Sequence, residues 1–315
     1  MLKIALPNKG SLAEGAVSIV SEAGYACGRS GKELAKLDPS SDVEFFFLRP
    51  RDIATYVARG VIDLGITGRD LNEDAAEPAL EVLPLGFGKS AFRYAVPAGS
   101  GLTPDALGGK RIACSYRNIV ERDLARRGVD ATVVKVDGAV EISIRLGVAD
   151  AVADVVESGQ TLRAAGLEVV GEPVMQSEAI VVARDAATAA LPQAVTFLHR
   201  LKGIVVGRAY EMVEYDIPRT ALEQAVVLTP GIESPTVSPL SDPDWVAVKA
   251  LCLRKGINET MDRLEAIGAK GIVAAPIRAA RISPFSPHWG TYTRLPAASA
   301  SESRRRVSGS RPTLT

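Results

Sequence analysis

Apolar residues along the first 180 positions follow two alternating rhythms, a period near two and a period near 3.6, and the switches between them predict the elements. Leu2 to Leu6 reads as a strand, Pro7-Asn8-Lys9-Gly10-Ser11 as a loop, and Leu12 to Ala23 as a helix stopped by Gly24. Val43 to Leu48 (VEFFFL) is a strand, Arg49-Pro50-Arg51-Asp52 a turn with Pro50 suited to a first helical position, and Ile53 to Arg59 a helix. Gly60-Val61-Ile62-Asp63 opens another strand that ends in Thr67-Gly68-Arg69-Asp70-Leu71. The order then recurs. Lys110 to Ala113 is a strand, Cys114 to Arg117 a turn, and a helix runs to Gly128. Ala131 to Val136 is a strand, Asp137-Gly138 turns into a short helix ending near Gly147, and Val148 to Val156 is a strand running into Ser158-Gly159-Gln160-Thr161-Leu162.

Two similar α/β halves are therefore expected, and two such halves enclose a cleft with the loops at their strand ends facing it. Convergence on a common α/β unit is the alternative, since the second half has four more residues between its Asp and its loop glycine. The chain crosses between halves near Phe87 to Val96, and Glu178 to Ala183 is expected to return as a strand to the first half. The expected domains are residues 1–90 with the return strand 178–184, then 91–177. After a linker at Ala186 to Leu191, a third domain spans 192–281. Its predicted order is a helix to Leu201, a strand from Gly203 to Tyr215, a helix from Pro218 to Ala225, two strands (the second Trp245 to Leu253), a helix from Ile257 to Ile267, and a strand from Gly271 to Ile277. After its first helix this is βαββαβ, the ferredoxin-like order. Residues 282–315 are rich in Pro, Ser, Arg and Ala without apolar periodicity and are read as a disordered tail.

Composition narrows the classes. Lys plus Arg equals Asp plus Glu at 37 each. Five Arg against one Glu after Arg281 leave 32 basic and 36 acidic residues before it, which gives no basic body for nucleic acid. Arg304-Arg305-Arg306 is read as a solvated basic run. Cys27, Cys114 and Cys252 have no metal or disulfide spacing, and no export signal or membrane-length apolar run occurs, so a cytoplasmic protein is expected. Two histidines, His199 and His288, offer little for histidine-based catalysis or zinc binding.

The candidate chemistry concentrates around Asp154 and Ser158 to Leu162. A small hydroxylated loop opening a helix turns free N–H groups and the positive end of the helix dipole to one point, an anion site suited to phosphate. An acid ahead of it suits ribose hydroxyls or a metal, and period two puts Asp150 on the same strand face as Asp154. A structural carboxylate is the alternative for Asp154. Lys9 is either a solvated loop lysine or a substrate contact, and Arg49 at its strand end faces an anion.

These residues carry a resemblance. PNKG (Pro7 to Gly10), FFFLRP (Phe45 to Pro50), DLGITGRDL (Asp63 to Leu71), KRIACSY (Lys110 to Tyr116), DGAVEIS (Asp137 to Ser143), ADAVADVVESGQTL (Ala149 to Leu162) and TPGIESPTVSPL (Thr229 to Leu240) occur in the order of the long-form ATP phosphoribosyltransferases, the first enzymes of histidine biosynthesis, which the chain resembles over residues 1 to about 281. The resemblance implies a fold of two periplasmic-binding-protein-like α/β halves around a cleft plus a ferredoxin-like regulatory domain. It implies transfer of the phosphoribosyl group of phosphoribosyl pyrophosphate to N1 of ATP, with pyrophosphate released and Mg2+ present. Such a reaction suits a chain poor in histidine, because a ring nitrogen lone pair attacks and the protein has to align two polyanions and neutralise the leaving group.

By the same resemblance, Asp154, Lys9 and Arg49 are the expected catalytic residues. Gly10, Asp70, Tyr116, Asp137, Gly138, Ala139, Glu141, Ser158, Gly159, Gln160, Thr161 and Leu162 are the expected substrate contacts, with Tyr116 near the adenine unless it only packs its ring. L-histidine is the implied inhibitor, at Asp216, Ser234 and Thr236, unless Asp216 only caps the helix expected at Pro218. A homo-oligomer, dimer or hexamer, is implied as well. Ser11 stands where many relatives have an arginine, so a phosphate contact from that position is absent or supplied elsewhere. The competing class is a cytosolic ligand sensor of the periplasmic-binding-protein type without catalysis.

Overall fold

The structure, a computed structural model, describes residues 1–28, 31 and 33–281. The tail expected at 282–315, with His288 and the Arg304 run, lies outside the described residues. In the first half come β1 (Leu2–Pro7), α1 (Ser11–Glu22), β2 (Ala35–Asp38), β3 (Val43–Leu48), α2 (Pro50–Ala58), β4 (Leu64–Gly68), α3 (Arg69–Glu73) and β5 (Leu80–Pro84). The second half holds β6 (Ser90–Pro97), β7 (Arg111–Cys114), α4 (Arg117–Arg127), β8 (Thr132–Lys135), α5 (Ile142–Arg145), β9 (Ala151–Val156), α6 (Gln160–Ala164) and β10 (Leu167–Ser177). Then follow β11 (Ala179–Ala183), α7 (Ala186–Ala189), α8 (Pro192–Ala209), β12 (Tyr210–Pro218), α9 (Leu222–Leu228), β13 (Thr236–Pro239), β14 (Trp245–Leu253), α10 (Ile257–Ala266) and β15 (Lys270–Pro276).

The two halves share one strand plan. In the first sheet, β2-β3-β1-β4-β11-β5, strand β1 is parallel to β3 and β4, and β11 is antiparallel to β4 and β5. In the second, β10-β6-β9-β7-β8, strand β7 is parallel to β8 and β9, and β6 is antiparallel to β9 and β10. Each half thus has three parallel strands, a fourth (β11 or β6) that runs against them and reaches its sheet directly after a crossing, and an edge strand (β5 or β10) antiparallel to the fourth. In the first sheet β2 adds an antiparallel strand beside β3. The crossings are stitched together: Leu85 N–H donates to Ala179 O (2.9 Å) and Ala179 N–H to Phe87 O (2.9 Å). Arg69 adds a fork to Glu81 (2.8 and 2.7 Å) and reaches Glu178 (3.3 Å).

Burial explains the sequence pattern. Strands β4 and β11 are buried along their whole length, as central strands covered on both faces are. In β3 burial alternates, with Phe45 and Phe47 in the core and Glu44, Phe46 and Leu48 half-buried. Helix α8 sinks Ala194, Phe197, Leu198, Leu201 and Ile204 into the core of the first half, so this helix is packed there although chain order groups it with the module that follows.

Two elements differ from the expectation. The strand read from Gly203 is helix as far as Ala209, and β12 begins at Tyr210. Gly203 and Gly207 lie where the chain from Ile277 to Ala280 presses on α8, with Ala280 N–H donating to Gly203 O at 3.0 Å, so close backbone approach rather than a strand start accounts for both glycines. The expected linker contains α7, which Asp185 caps by accepting from Thr188 N–H at 2.7 Å. The last sheet, β13-β14-β12-β15, is all antiparallel in the ferredoxin-like order, with α9 and α10 on one face.

Candidate active site

In both halves the loops at the carboxyl ends of the parallel strands carry the candidate residues, the place where open α/β sheets hold ligands. Lys9 and Gly10 follow β1, Arg49 follows β3, and Asp70 follows β4 on α3. Tyr116 follows β7, Asp137 to Glu141 follow β8, and Ser158 to Leu162 follow β9. Three acids share the space between the halves. Burial raises the Asp154 carboxyl above its ordinary range, and the negative charges of Glu141 and Asp70 raise it further. Tyr116 is likewise pushed up by burial first and then by the Asp70 carboxylate, so Asp70 of the first half faces Tyr116 and Asp154 of the second. The Asp70 carboxylate is held by Ser177 Oγ (2.7 Å), and its own N–H donates to the same oxygen (3.0 Å).

The loop after β8 is sharply bent. Gly138 has φ 77° and Ala139 φ 47°, two left-handed residues in a row, the second of them a residue with a side chain. Ser115 pins the bend, donating to Val136 O (2.8 Å) and accepting from Gly138 N–H (3.2 Å). Asp137, Gly138 and Ala139 are exposed there, and Glu141 is half-buried. The loop after β9 turns at Gly159 (φ 69°), which delivers Gln160, Thr161 and Leu162 as the first turn of α6. Ser158, Gln160 and Thr161 are exposed and Leu162 is buried as the anchor of that turn. Beneath the cleft, burial pushes the Cys114 thiol up to about 12, which leaves it inert at neutral pH.

Lys9, Gly10 and Arg49 are exposed at their strand ends. Gly10 (φ 77°) opens α1 with no side-chain cap, and no atom lies within 4 Å of where a Cβ would stand, so Gly10 leaves room beside the exposed start of that helix. Asp150, read as sharing a face with Asp154, belongs elsewhere: it precedes β9 and forks to Arg111 (2.9 Å) at the opposite end of the strands, which holds its carboxyl down at about 2. Tyr116 packs its edge on Phe92 (5.4 Å) and also faces Asp70.

A second concavity, of about 310 Å³, lies on the open face of the last sheet. Asp216 on β12 and Thr236 on β13 line it together with Glu214, Ser238, Lys249 and Gly271. Ser234 is exposed in the loop before β13 and is not among the lining residues. Asp216 is mid-strand, opposite Ala247, and caps no helix.

Residues that the sequence did not single out also converge here. Arg51 lies over the Tyr116 ring (4.8 Å to its centre) and pairs with Asp74 (2.5 Å), which in turn meets Asn118. Positions so far apart along the chain carry no spacing signal. Among the described residues no group of three or more His, Cys, Asp or Glu side chains is arranged to hold a metal, and no helix is long and apolar enough to cross a membrane.

Comparison with known proteins agrees across the chain. The family described as HisG, ATP phosphoribosyltransferase, matches residues 49–203, and the HisG C-terminal domain matches residues 207–279. The ATP phosphoribosyltransferase of Salinibacter ruber is 54% identical over 283 residues, 90% of this chain and 100% of its own. That of Rhodococcus erythropolis is 54% identical over 281 residues, 89% of this chain and 99% of its own. Among solved structures, the ATP phosphoribosyl transferase (HisG:HisZ) complex from Thermotoga maritima superposes with a TM-score of 0.58 at 27% identity, covering 65% of this chain and 98% of that one.

Proposed function

The chain belongs to the ATP phosphoribosyltransferase family, whose reaction opens histidine biosynthesis by transferring a phosphoribosyl group to ATP, and we propose how the cleft divides that work among its residues. Gly159 to Leu162 grip the 5′-phosphate with backbone N–H groups and the Ser158 and Thr161 hydroxyls. Asp154 accepts from the ribose hydroxyls beside it, with Glu141 and the bent Asp137 to Ala139 loop enclosing the sugar. Lys9, Gly10 and Arg49 approach from the first half as donors to the remaining phosphates and the departing pyrophosphate. Tyr116 and Asp70 border the adenine.

The observation that carries this reading is the raised Asp154 carboxyl, a desolvated acid held among like charges on β9, the strand that runs into a phosphate-type loop. The arrangement asks no residue to act as a base, since N1 of adenine brings its own lone pair. What the residues supply is alignment of two polyanions and charge for the leaving group.

Magnesium suits this donor set. The ion takes one or two carboxylates and completes its shell with water and substrate phosphates, so it would arrive on the diphosphate. Asp154 and Glu141 would hold it, and its charge would ease departure of pyrophosphate.

We further propose that L-histidine inhibits from the concavity on the last sheet, and that the enzyme works as a cytoplasmic homo-oligomer. The zwitterion needs an acceptor for its ammonium and donors for its carboxylate, and Asp216 and Thr236 border one cavity that offers both. Ser234, in the preceding loop, is the weaker participant. The deciding assay for the catalytic reading is pyrophosphate release that requires ATP and phosphoribosyl pyrophosphate together. Release with either substrate alone, or none with both, would remove it.

A further inference from the structure

Helix α4 has no cap of its own. Its N-cap residue is Tyr116, whose side chain makes no capping bond, yet the helix begins at the wall of the cleft where its first N–H groups need an acceptor. The acceptor comes from the other half. Asp74, the residue after α3, takes the Asn118 N–H at 2.9 Å, and Asn118 Nδ2 donates back to Asp74 O at 2.6 Å. The same Asp74 carboxylate is bound by Arg51 Nη1 of α2 at 2.5 Å, and the Arg51 guanidinium covers the Tyr116 ring at 4.8 Å. Next to this pair, Arg122 of α4 reaches the Glu73 carbonyl. Asp74 is buried, and its hydrogen bonds join α2 and α3 of the first half to α4 of the second.

We propose that Asp74, Asn118 and Arg51 form a latch that holds the two halves closed and thereby positions Tyr116 against the substrate. The inference rests on the cleft being the active site. Separating the halves strips α4 of its cap, leaves the buried Asp74 with Arg51 as its remaining side-chain partner, and takes Arg51 off Tyr116, so the closed arrangement is favoured before substrate arrives. Asp74 acts through Tyr116 and the fit of the halves and touches no reacting atom, which makes it a positioning residue. A protein whose binding-competent form is populated only in part binds with an apparent affinity reduced by that fraction, while saturating substrate restores the competent form. Loss of the latch therefore raises KM for both substrates and leaves kcat nearly unchanged.

The experiment measures steady-state kinetics, with each substrate varied, for Asp74→Ala, Asn118→Ala, the double variant and Asp74→Asn in the full chain, beside their melting temperatures. Each single change is expected to raise both KM values roughly three- to tenfold with kcat within about twofold, the loss of one hydrogen-bonded contact. The double variant should be worse than either single, because Asp74→Ala removes the acceptor of the Asn118 backbone N–H while Asn118→Ala removes the Nδ2 bond to the Asp74 carbonyl. Asp74→Asn keeps an oxygen for the Asn118 N–H and should recover most of the affinity. Unchanged KM values, a fall in kcat alone, or a double variant no worse than the poorer single would each overturn the latch. Should Asp74→Ala fail to fold, Asn118→Ala alone carries the test, since it keeps Asp74 paired with Arg51. Failure of the cleft reading is separate: it would show as full activity in Asp154→Asn.

Discussion

Asp154 on β9 stands directly opposite Arg93 on β6, yet the two do not neutralise each other. The Arg93 guanidinium turns aside to the Gly171 carbonyl (3.3 Å), and its Nε is buried without a partner. The acid is left with Glu141 and Asp70 for company, and its pKa is raised. Cross-strand neighbours of opposite charge ordinarily pair at a gain. Here the carboxylate is left open toward the cleft, at a cost in stability, for something that arrives later.

Asp154→Asn should therefore abolish most activity and stabilise the substrate-free enzyme. A folded-state carboxyl raised above its unfolded value binds its proton more tightly when folded, so stability falls as pH rises from the ordinary carboxylate range through the raised value. Asparagine removes that loss. At neutral pH the variant should melt higher than wild type, and the difference should vanish below the unfolded carboxylate range. Its kcat/KM should drop at least tenfold, for the lost charged hydrogen bonds are worth about 1.5–3 kcal/mol. A variant with wild-type kinetics, or one that melts lower at neutral pH, contradicts the assignment.

Thr161→Ala isolates the phosphate grip. The side chain is exposed on the first turn of α6, so removing it should leave the melting temperature unchanged. The KM for phosphoribosyl pyrophosphate should rise at least tenfold while that for ATP stays within about twofold. Equal changes in both would place the hydroxyl outside the phosphate site.

Strand ends were legible in the sequence because parallel strands read as apolar runs and the chemistry sits where those runs stop. That is how the loop from Ser158 to Leu162 after β9 could be anticipated, as could the return of β11 to the first sheet from the run Glu178 to Ala183. Asp150 shows the limit. Period two assigns a face but not where a strand begins, and with β9 starting at Ala151 the Asp150 side chain folds back on Arg111. The strand read at Gly203 fails for a related reason, since a short apolar run such as Gly203 to Val206 suits a buried helix equally. Contacts such as Asp74 with Asn118 leave no trace in a single sequence, because they depend on how two halves meet.

Gly207→Ala should destabilise the enzyme although alanine favours helix. A Cβ at Gly207 would stand 2.9 Å from Ile277 O and 3.0 Å from Arg278 O, backbone atoms that must move. Overpacking costs about 1–3 kcal/mol and the helical gain returns about 1, so a net loss of order 1 kcal/mol and a melting temperature lower by about 2–4 °C are expected. Gly203→Ala, whose Cβ would meet only Ala280 O at 3.2 Å, should be near neutral. Equal effects at both positions would refute the close-approach account.

Histidine inhibition is best tested without cutting the chain. Deleting everything after Ala190 would remove Phe197, Leu198 and Leu201 from the core of the first half, and lost activity would then report lost folding. Point changes in the cavity avoid this. Asp216 lies on β12 opposite Lys270, and Lys249 on β14 is paired with Glu214, so the cavity carries both signs of charge and matches a zwitterion. Asp216→Ala should remove the ammonium acceptor and weaken inhibition at least tenfold, and Thr236→Val should do so by less. Both should keep uninhibited kcat/KM within about twofold, because neither residue belongs to the cleft. A ligand bound on this sheet can act only through a difference in its affinity for two global states, and couplings of about 1–3 kcal/mol are typical. The covalent route runs from β12, which carries Asp216, straight back into α8, and the chain from Ile277 to Ala280 after β15 also presses on α8, which enters the core of the first half. Gly207→Ala disturbs that route midway, so it should also change the extent of histidine inhibition without altering histidine affinity in a direct binding titration. Histidine that competes with ATP, or that inhibits Asp216→Ala as strongly as wild type, would remove the cavity as its site.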